Sequence, residues 1–377
     1  MRNIIKSILL ALLVLLSPNF IHASKQAKMA KKSGEIRIKD VSPHKGLNLN
    51  YNYGEMELVF WDKNEIVLKY DECVRASSQK RADEILQQRI AIKSIDGHYF
   101  RVGNADDSSV SFNSKWTVYV PSHISSVAAS NSFGNITVGK GFSGLIRIDV
   151  QNGDVNIPET KAMCVVEVTH GNFYVGNAAY LNMTTKHANG TIAFAQILKV
   201  QAEHADFCKI DKADVMTINS KHSKIKVGNV GQLSSQGSYS TLEVNELSGL
   251  ANIRDMQHST IEMDKFLGKL DATDLSYSKL NITISKFNHT PFIMVTDLDY
   301  TDVKVKLPAS LRTSTYVNGK GSCRSISSGT AKIKSSAPWS SPNGISSHVF
   351  QNTESFTPNS LIDINNESYG TILIEEY

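Results

Sequence analysis

The sequence predicts an all-β fold, namely a parallel β-solenoid (a β-helix-like stack of coils) with an N-terminal α+β capping segment. Three observations support this prediction. Apolar and polar residues alternate over short runs, which is typical of half-buried strands. The alternating runs recur with a near-constant period of about 18 residues. Each period contains at least two such runs and two turns, and therefore amounts to one coil of a solenoid, whose inner face is buried only by stacking.

The composition of the 377-residue chain is that of an ordinary globular protein, with 41% hydrophobic and 20% charged residues. The net charge of +4 is too small to suggest nucleic-acid binding. Cys73, Cys164, Cys208 and Cys323 are far apart and lack the spacing of metal ligands. The sequence leaves both isolated thiols and disulfides open for these four residues.

Residues 1–23 have the three parts of a secretory signal peptide. Arg2 and Lys6 precede an apolar run over residues 8–16, and Ala23 marks a plausible cleavage point. The run is shorter than the roughly 20 residues that a membrane-spanning helix needs. We therefore expect an exported protein without a transmembrane helix in the mature chain, located in the periplasm, on the outer-membrane surface or outside the cell.

Residues 35–122 are predicted to form the capping segment. Alternating patterns predict strands over residues 47–60 and 65–70 and again near 99–102 and 116–120, and an amphipathic pattern predicts a helix over residues 77–88. A solenoid exposes an open ladder edge at each end, so covering that edge is the expected role of this segment.

The solenoid itself is predicted over residues 131–305, with about ten coils. Each unit begins with a small residue, followed by apolar residues two and four positions later, as in Gly134, Ile136 and Val138. The apolar positions are expected to point inward. The first positions of the ten units are Gly134, Gly153, Gly171, Gly190, Asp206, Ser223, Ser240, Ser259, Ser278 and Thr301.

The remainder, residues 306–377, is predicted to contain a Gly/Ser-rich loop followed by C-terminal closing strands. The loop is expected over residues 319–347, which are rich in glycine and serine and include Pro338 and Pro342. The repeat pattern returns at residues 369–374, so the last strand is expected to close the solenoid.

Several short motifs carry a resemblance to a known family. They are the segment 52–58 followed by Trp61 and Asp62, the alanine-containing helix, the junction at 118–121 and the final Tyr369-Gly370. Together they resemble the putative-adhesin β-strand-repeat family of exported Gram-negative bacterial proteins over nearly the whole mature chain. The resemblance implies a β-solenoid in a cell-envelope or surface setting, and it transfers no functional residue.

The residue before the first position of each unit forms a column that shares parity with the solvent-facing positions. Its rings are expected to stack along the outside of the solenoid. The candidate binding residues are the rings of its C-terminal part, which are His222, Tyr239, His258, Tyr277 and Tyr300; the column also contains Phe133, Asn152, His170, Asn189 and Ala205. Two interpretations stay open, a purely stabilising ladder and a surface for sugar rings or another partner. No acidic or cysteine ligand is fixed beside the histidines, so no metal site is predicted.

Other motifs are weaker. Asp255, Asp274 and Asp297 recur four residues before a first position and are expected to cap turns rather than bind calcium. Residues 139–144 match GxGxxG but join two short strands rather than preceding a helix, so no nucleotide cofactor is expected. Carboxylate pairs such as Asp297 with Asp299, or Glu375 with Glu376, are the only glycosidase-like candidates that we identify.

These observations predict an exported, non-enzymatic, adhesin-like β-solenoid that presents an extended surface to a glycan or an envelope protein. The alternatives are a polysaccharide-active enzyme on a β-helix scaffold and a purely structural envelope protein. No cofactor and no nucleic-acid partner are expected. The sequence leaves open the ligand, the handedness of the coil and the oligomeric state.

Overall fold

The structure, a computed structural model, is nearly all β, with 75% strand and one helix in the part that it describes, and it contains a parallel β-solenoid of about nine turns. The predicted fold class is thereby confirmed. The described residues are 28–95, 99–102, 111–285, 292–308, 314–320, 323–328, 334–340, 345–351, 361–366 and 370–377. The predicted signal peptide, residues 1–23, lies outside them. No helix among the described residues is long and apolar enough to cross a membrane.

The N-terminal segment combines antiparallel strands, one helix and the first solenoid strands. Its elements are β1 (Lys28–Lys39), β2 (Gly46–Tyr51), β3 (Gly54–Trp61), β4 (Glu65–Ala76), α1 (Gln79–Arg89), β5 (Ile92–Ile95), β6 (Tyr99–Val102) and β7 (Ser111–Pro121). β4 pairs antiparallel with both β1 and β7. β2 and β3 instead pair in parallel with the first strands of the repeat, so this segment supplies solenoid strands as well as an end cover.

A buried ion pair ties the helix to this sheet. Arg89 Nε donates to Glu72 Oε2 at 3.0 Å, and neither side chain is exposed to solvent. Trp116 Nε1 donates to Glu72 Oε1 at 2.5 Å, and Ser78 caps the helix by accepting from the N–H of Arg81. Burial raises the pKa of the Glu72 carboxyl above its usual range, although Arg89 opposes the shift. Removing either partner would leave an uncompensated charge inside the cap.

The solenoid strands follow in parallel register. They are β8 (Ser126–Asn131), β9 (Ile136–Val138), β10 (Leu145–Gln151), β11 (Val155–Thr169), β12 (Asn172–Lys186), β13 (Asn189–Glu203), β14 (Cys208–Lys221), β15 (Lys224–Ser238), β16 (Thr241–Leu247), β17 (Leu250–Gln257), β18 (Thr260–Phe266), β19 (Lys269–Ser276), β20 (Lys279–Ile284), β21 (Phe292–Asp299) and β22 (Asp302–Leu307). The long strands β11 to β15 each cover most of a coil, whereas later coils are divided between two strands.

One coil shows how the sequence builds the core. In β12, Phe173 and Val175 point inward from the first face, Ala178 from a short second face, and Leu181 and Met183 from a third. All five are at most 4% exposed. Because the register between coils is parallel, each inward side chain packs on its equivalents above and below, and burying one large aliphatic side chain contributes about 1.5–3 kcal/mol.

Three cysteines are free thiols. Cys164 and Cys208 are completely buried in the solenoid core, and burial raises the pKa of each thiol to about 12. Cys73 is half-buried in β4. The side chain of Cys323 lies outside the described part of the chain.

The C-terminal segment differs from the prediction of a long loop. It contains β23 (Ser314–Lys320), β24 (Cys323–Ser328), β25 (Lys334–Ser340), β26 (Ile345–Gln351), β27 (Leu361–Asn366) and β28 (Gly370–Glu376). β27 and β28 continue the two parallel ladders from β21 and β22. β26 pairs antiparallel with β23 and β25. The loop prediction was wrong because it rested on Gly/Ser content, whereas strand pairing at the end of a stack depends mainly on backbone hydrogen bonds.

The first positions of the units lie where the chain turns between coils, and the glycines among them are packed against the backbone of the coil before. A Cβ on Gly153 would lie 2.1 Å from the carbonyl oxygen of Gly134, and one on Gly171 would lie 1.9 Å from that of Gly153. Later coils place hydroxyl side chains there. Ser240 N–H donates to Ser259 Oγ at 3.2 Å, and Ser259 N–H donates to Ser278 Oγ at 3.1 Å. We call Ser223, Ser240, Ser259, Ser278 and Thr301 the hydroxyl ladder.

Candidate functional site

One corner of the solenoid carries a column of residues with left-handed backbone. Asn152 and eight ring-bearing residues in successive coils have φ between 47° and 56°. The backbone N–H of His222 donates to the carbonyl of Ser238 at 3.0 Å, and that of Tyr239 donates to Gln257 at 2.8 Å. The left-handed turn therefore continues the hydrogen-bond ladder around the corner. A non-glycine residue in this conformation costs about 1–2 kcal/mol.

The rings of this column stack on one another. Neighbouring ring centroids are 4.7–5.0 Å apart and the ring planes differ by 3–15°. This distance matches the spacing of about 4.8 Å between paired strands, so the backbone ladder sets the ring spacing. We call the eight residues the ring strip: His170, His187, His204, His222, Tyr239, His258, Tyr277 and Tyr300.

The strip is open to solvent along one side. Tyr239 is 54% exposed, Tyr277 53% and Tyr300 45%. Stacking covers both faces of an interior ring, so the exposed part of such a ring is its edge. The strip thus presents ring edges, with Tyr hydroxyls and imidazole nitrogens that can donate or accept hydrogen bonds. It does not present the row of free ring faces on which sugar rings would lie flat.

All five rings predicted as binding residues lie in the ring strip, and whether they bind a ligand stays a prediction. The predicted placement of two other residues in the column was wrong. Asn189 and Ala205 are not in it; His187 and His204 occupy those places. Phe133 stacks on Tyr53 at 4.6 Å and is separated from the strip by the coil of Asn152.

The two errors have local causes. Gly190 imitates a first position, but it faces Phe173 in the core, where a Cβ would lie 2.6 Å from the aromatic ring. The true first positions of these coils are Ala188 and Ala205, both completely buried. In the next coil Phe207 is an extra residue in the turn, which shifts the pattern by one. The missed histidines could have been found by spacing, since 17 residues separate His170 from His187 and His187 from His204.

The aspartate column also differs from expectation. Asp255, Asp274 and Asp297 have φ of 50–56° and lie within strands β17, β19 and β21. They occupy irregular strand positions, where aspartate tolerates the left-handed region better than most residues. No hydrogen bond from a turn amide reaches their carboxylates in the described part of the chain; Asp297 accepts instead from Thr273 Oγ1 at 3.0 Å.

A second exposed line runs along another corner of the solenoid, between the short second face and the third face. Large aliphatic side chains there are 40–46% exposed, and strand register places them one above another. We call this line the apolar ridge: Leu145, Met163, Ile197, Val215 and Leu250, with Tyr180 and Gln232 at the intervening coils. Contiguous exposed apolar surface of this kind marks interaction sites.

The remaining candidates have structural partners. Glu375 forms an ion pair with Lys304 at 2.9 Å, and the side chain of Glu376 is outside the described residues. Residues 139–144 connect β9 to β10, with no helix after them. Among the residues that the structure describes, no three His, Cys, Asp or Glu side chains are grouped as metal ligands.

Comparisons with known proteins are limited to remote structural likeness. No family model matches the sequence, and no curated protein is similar to it. A putative adhesin from Parabacteroides merdae is 15% identical, with a TM-score of 0.33, covering 74% of this chain and 96% of that chain. A putative cell adhesion protein from Clostridium sporogenes is 11% identical, with a TM-score of 0.18, covering 93% and 100%. Likeness at this level carries no functional argument.

Proposed function

We propose that this protein is an exported, non-enzymatic, adhesin-like solenoid of the cell envelope that binds an extended glycan along its ring strip. The observation that carries the proposal is the strip itself. Eight successive coils each place one ring on the same corner, at intervals of 4.7–5.0 Å. A long surface with one repeated chemical group suits a long ligand that also repeats.

The chemistry of the strip favours hydroxyl groups as ligands. Tyr hydroxyls and neutral imidazoles each donate and accept, as do sugar hydroxyls. The residues directly before Tyr239, His258 and Tyr277 are Ser, Gln and Ser, so the uncharged polar neighbours of the strip lie in these three coils; charged residues directly precede His187, His204, His222 and Tyr300. A single hydrogen bond to an exposed group contributes little, but bonds made by several coils to one polymer add to its retention.

The absence of enzymatic activity is part of the proposal. The carboxylates that suggested a glycosidase pair are engaged elsewhere, Asp297 with Thr273 and Glu375 with Lys304. Export is supported by the N-terminal sequence pattern, and the envelope setting by the resemblance stated above. Assay of the protein against the polysaccharides that it retains, with release of reducing ends as the readout, is expected to show no cleavage.

A binding test can separate the rings from the fold that supports them. We would replace Tyr239, Tyr277 and Tyr300 together by asparagine, because Asn152 occupies the same left-handed position in its own coil. A second triple variant with phenylalanine keeps the stacking and removes only the hydroxyls. Tyr174→Asn is the matched control, since Tyr174 is 46% exposed on β12 but lies outside the strip.

The readout is retention of wild type and variants on a panel of immobilised glycans. The asparagine triple variant is expected to lose retention while its far-UV spectrum and melting temperature show a folded protein. Tyr174→Asn is expected to bind as wild type does. A folded asparagine triple variant with unchanged retention would refute the proposal, and loss in both triple variants would assign the binding to the hydroxyls.

The apolar ridge favours a second candidate function, binding of a protein partner. Its aliphatic side chains are exposed in a line, whereas isolated exposed apolar residues need no explanation. Ile197→Lys with Val215→Lys would place charges in the middle of the ridge. Selective loss of a cross-linked envelope protein in this variant, with glycan retention intact, would support a protein-binding ridge; identical cross-linking in both proteins would contradict it.

A further inference from the structure

A shallow groove lies beside the ring strip, and we infer that it holds one sugar unit of a neutral glycan. The inference rests on the proposed function, because it names the ligand class and the specificity residues of the same surface. The groove has a volume of about 340 Å³. It is lined by polar residues of three successive coils, which we call the amide groove: Asn219, Gln236, Gly237, Ser238, Asp255 and Gln257.

A change in coil geometry coincides with the groove. Between β15 and β17, Ser235 pairs with Ile253 but Gly237 pairs with Met256, so Gln236 alone faces two residues. The extra residue is accommodated by the left-handed backbone of Asp255, with φ of 50°. Such a bulge bends the strand and re-aims its side chains. The strand segment that carries Asp255 is therefore shifted in register by one residue relative to the coil before it.

Gly237 lies where two coils that line the groove approach each other closely. A Cβ at this position would lie 2.2 Å from the carbonyl oxygen of Ser220, so a larger residue would force the coils apart. The coil before it has Ser220 at the equivalent position, and that side chain is buried. Glycine thus lets the backbones of the two coils approach closely beside the groove.

The amides of the groove have unused hydrogen-bonding capacity. In the described part of the chain, the side chains of Asn219, Gln236 and Gln257 form no hydrogen bond, and all three are exposed. Amides elsewhere on the solenoid are used differently. Asn135 Oδ1 accepts from the N–H of Asp154 at 2.8 Å, and Asn189 Oδ1 accepts from the N–H of Phe207 at 2.8 Å. Those side chains hold the coils together, whereas the groove amides are available to a ligand.

The donor set fits sugar hydroxyls. Each carboxamide offers two donors and an acceptor, Ser238 offers both roles, and Asp255 offers an acceptor. Neighbouring hydroxyls on a sugar ring can be bound by two such groups at once. Ser238 and Gln257 also directly precede Tyr239 and His258 of the ring strip, so a polymer lying along the strip passes the groove.

Charge favours a neutral sugar over an acidic one. Asp255 is the one charged residue of the lining, and it is negative. The adjacent Arg254 is directed to Asp271, with Nη2 3.4 Å from Oδ2. A uronate or a sulfate would therefore meet a carboxylate with no cation in the lining to neutralise it.

The experiment measures affinity of the full chain for soluble polymers. The neutral probes are a glucan, a galactan, a mannan and an N-acetylhexosamine polymer, and the anionic probes are polygalacturonate and dextran sulfate. Gln236→Ala with Gln257→Ala removes two groove amides and is expected to weaken binding of the preferred neutral polymer by about tenfold or more. Gln151→Ala is the matched control, because Gln151 is an exposed glutamine outside the groove, the ring strip and the apolar ridge, and it is expected to change nothing.

A ring variant outside the groove coils, Tyr277→Asn with Tyr300→Asn, separates this inference from the proposed function. If the ring variant loses binding while the amide variant binds as wild type, the amide groove is refuted and the ring strip is not. If wild type binds no polymer of the panel, both are refuted. Tighter binding of the anionic probes, strengthened further by Asp255→Asn, would overturn the neutral ligand class.

Discussion

The hydroxyl ladder allows a sharp test of how the coils are held together. Ser259 is 3% exposed; its Oγ donates to the carbonyl of Gln257 at 2.8 Å and accepts from the N–H of Ser240 at 3.2 Å. Ser259→Ala removes both bonds without adding volume. The carbonyl of Gln257 keeps another donor, the N–H of Tyr239 at 2.8 Å, so it stays satisfied.

The expected loss of stability follows from the N–H of Ser240, which donates to Ser259. The N–H of Ser240 is buried beside the core, and the alanine variant leaves it without an acceptor. An orphaned buried donor costs about 1–3 kcal/mol. Since every 1.4 kcal/mol is roughly a factor of ten, hydrogen exchange at the Ser240 amide is expected to accelerate by about fivefold to 150-fold.

Amide exchange is the better assay because coils of a solenoid need not unfold together. Thr260→Ala is the control, since Thr260 is the next residue, is half-buried and makes no side-chain hydrogen bond with other described residues. It is expected to change urea-unfolding stability by about 0.5 kcal/mol or less. If Ser259→Ala were no more destabilising than Thr260→Ala, with exchange at Ser240 unchanged, the ladder would not stabilise the stack as argued.

Three further predictions concern the inner and outer faces. Leu198→Ala is expected to cost about 2–5 kcal/mol in urea unfolding, whereas Ile197→Ala, on the exposed ridge, is expected to change stability by less than about 0.5 kcal/mol. Burial, and secondly the charge of Glu167, raise the pKa of Asp149, so ionisation of this carboxyl opposes folding as the pH rises. Asp149→Asn is therefore expected to raise the melting temperature slightly at neutral pH. In acid, where Asp149 is protonated, the variant and wild type are expected to melt at the same temperature. Hydrogen bonds from Lys224 and Lys226 lower the pKa of Glu243. The stability that these ion pairs contribute is therefore present above the usual Glu pKa and is lost as the pH falls through the lowered pKa. Glu243→Gln is expected to reduce the free energy of unfolding by at most about 1 kcal/mol, and by less in high salt.

The architecture could be predicted because the inward-facing residues of each coil form a regular apolar pattern in the sequence. Alternation places Leu242 and Val244 inward, and the same pattern returns at Ile261 and Met263 one coil later. Both signals come from local residue order, which is available without coordinates. Strands β23 to β26 were missed because Ser and Gly carry no such alternation, although their backbones pair equally well.

The ring strip was predicted where the turn is regular and missed where it is not. From His222 onward, each ring directly precedes a small hydroxyl residue, and the first core position follows two residues later. In the coil of His187 the first core position is Gly190, where any side chain would collide with the ring of Phe173. After His204 the turn is one residue longer. The amide groove could not be predicted either, because it depends on pairing between coils at Asp255, and a bulge is defined only by the partner strand.

The backbone and stacking energies of the ring strip indicate why rings occupy this corner of the solenoid. Left-handed backbone costs a non-glycine residue about 1–2 kcal/mol, and each stacked pair returns about 0.5–1.5 kcal/mol. Seven stacked contacts for eight ring residues therefore offset only part of the backbone cost. Asn152 fills the same corner with a residue that tolerates this conformation as His does, and better than Tyr does. Stability alone thus gives little reason to prefer His or Tyr, and what the rings add over asparagine is a continuous exposed edge, which is the property that the proposed glycan binding uses.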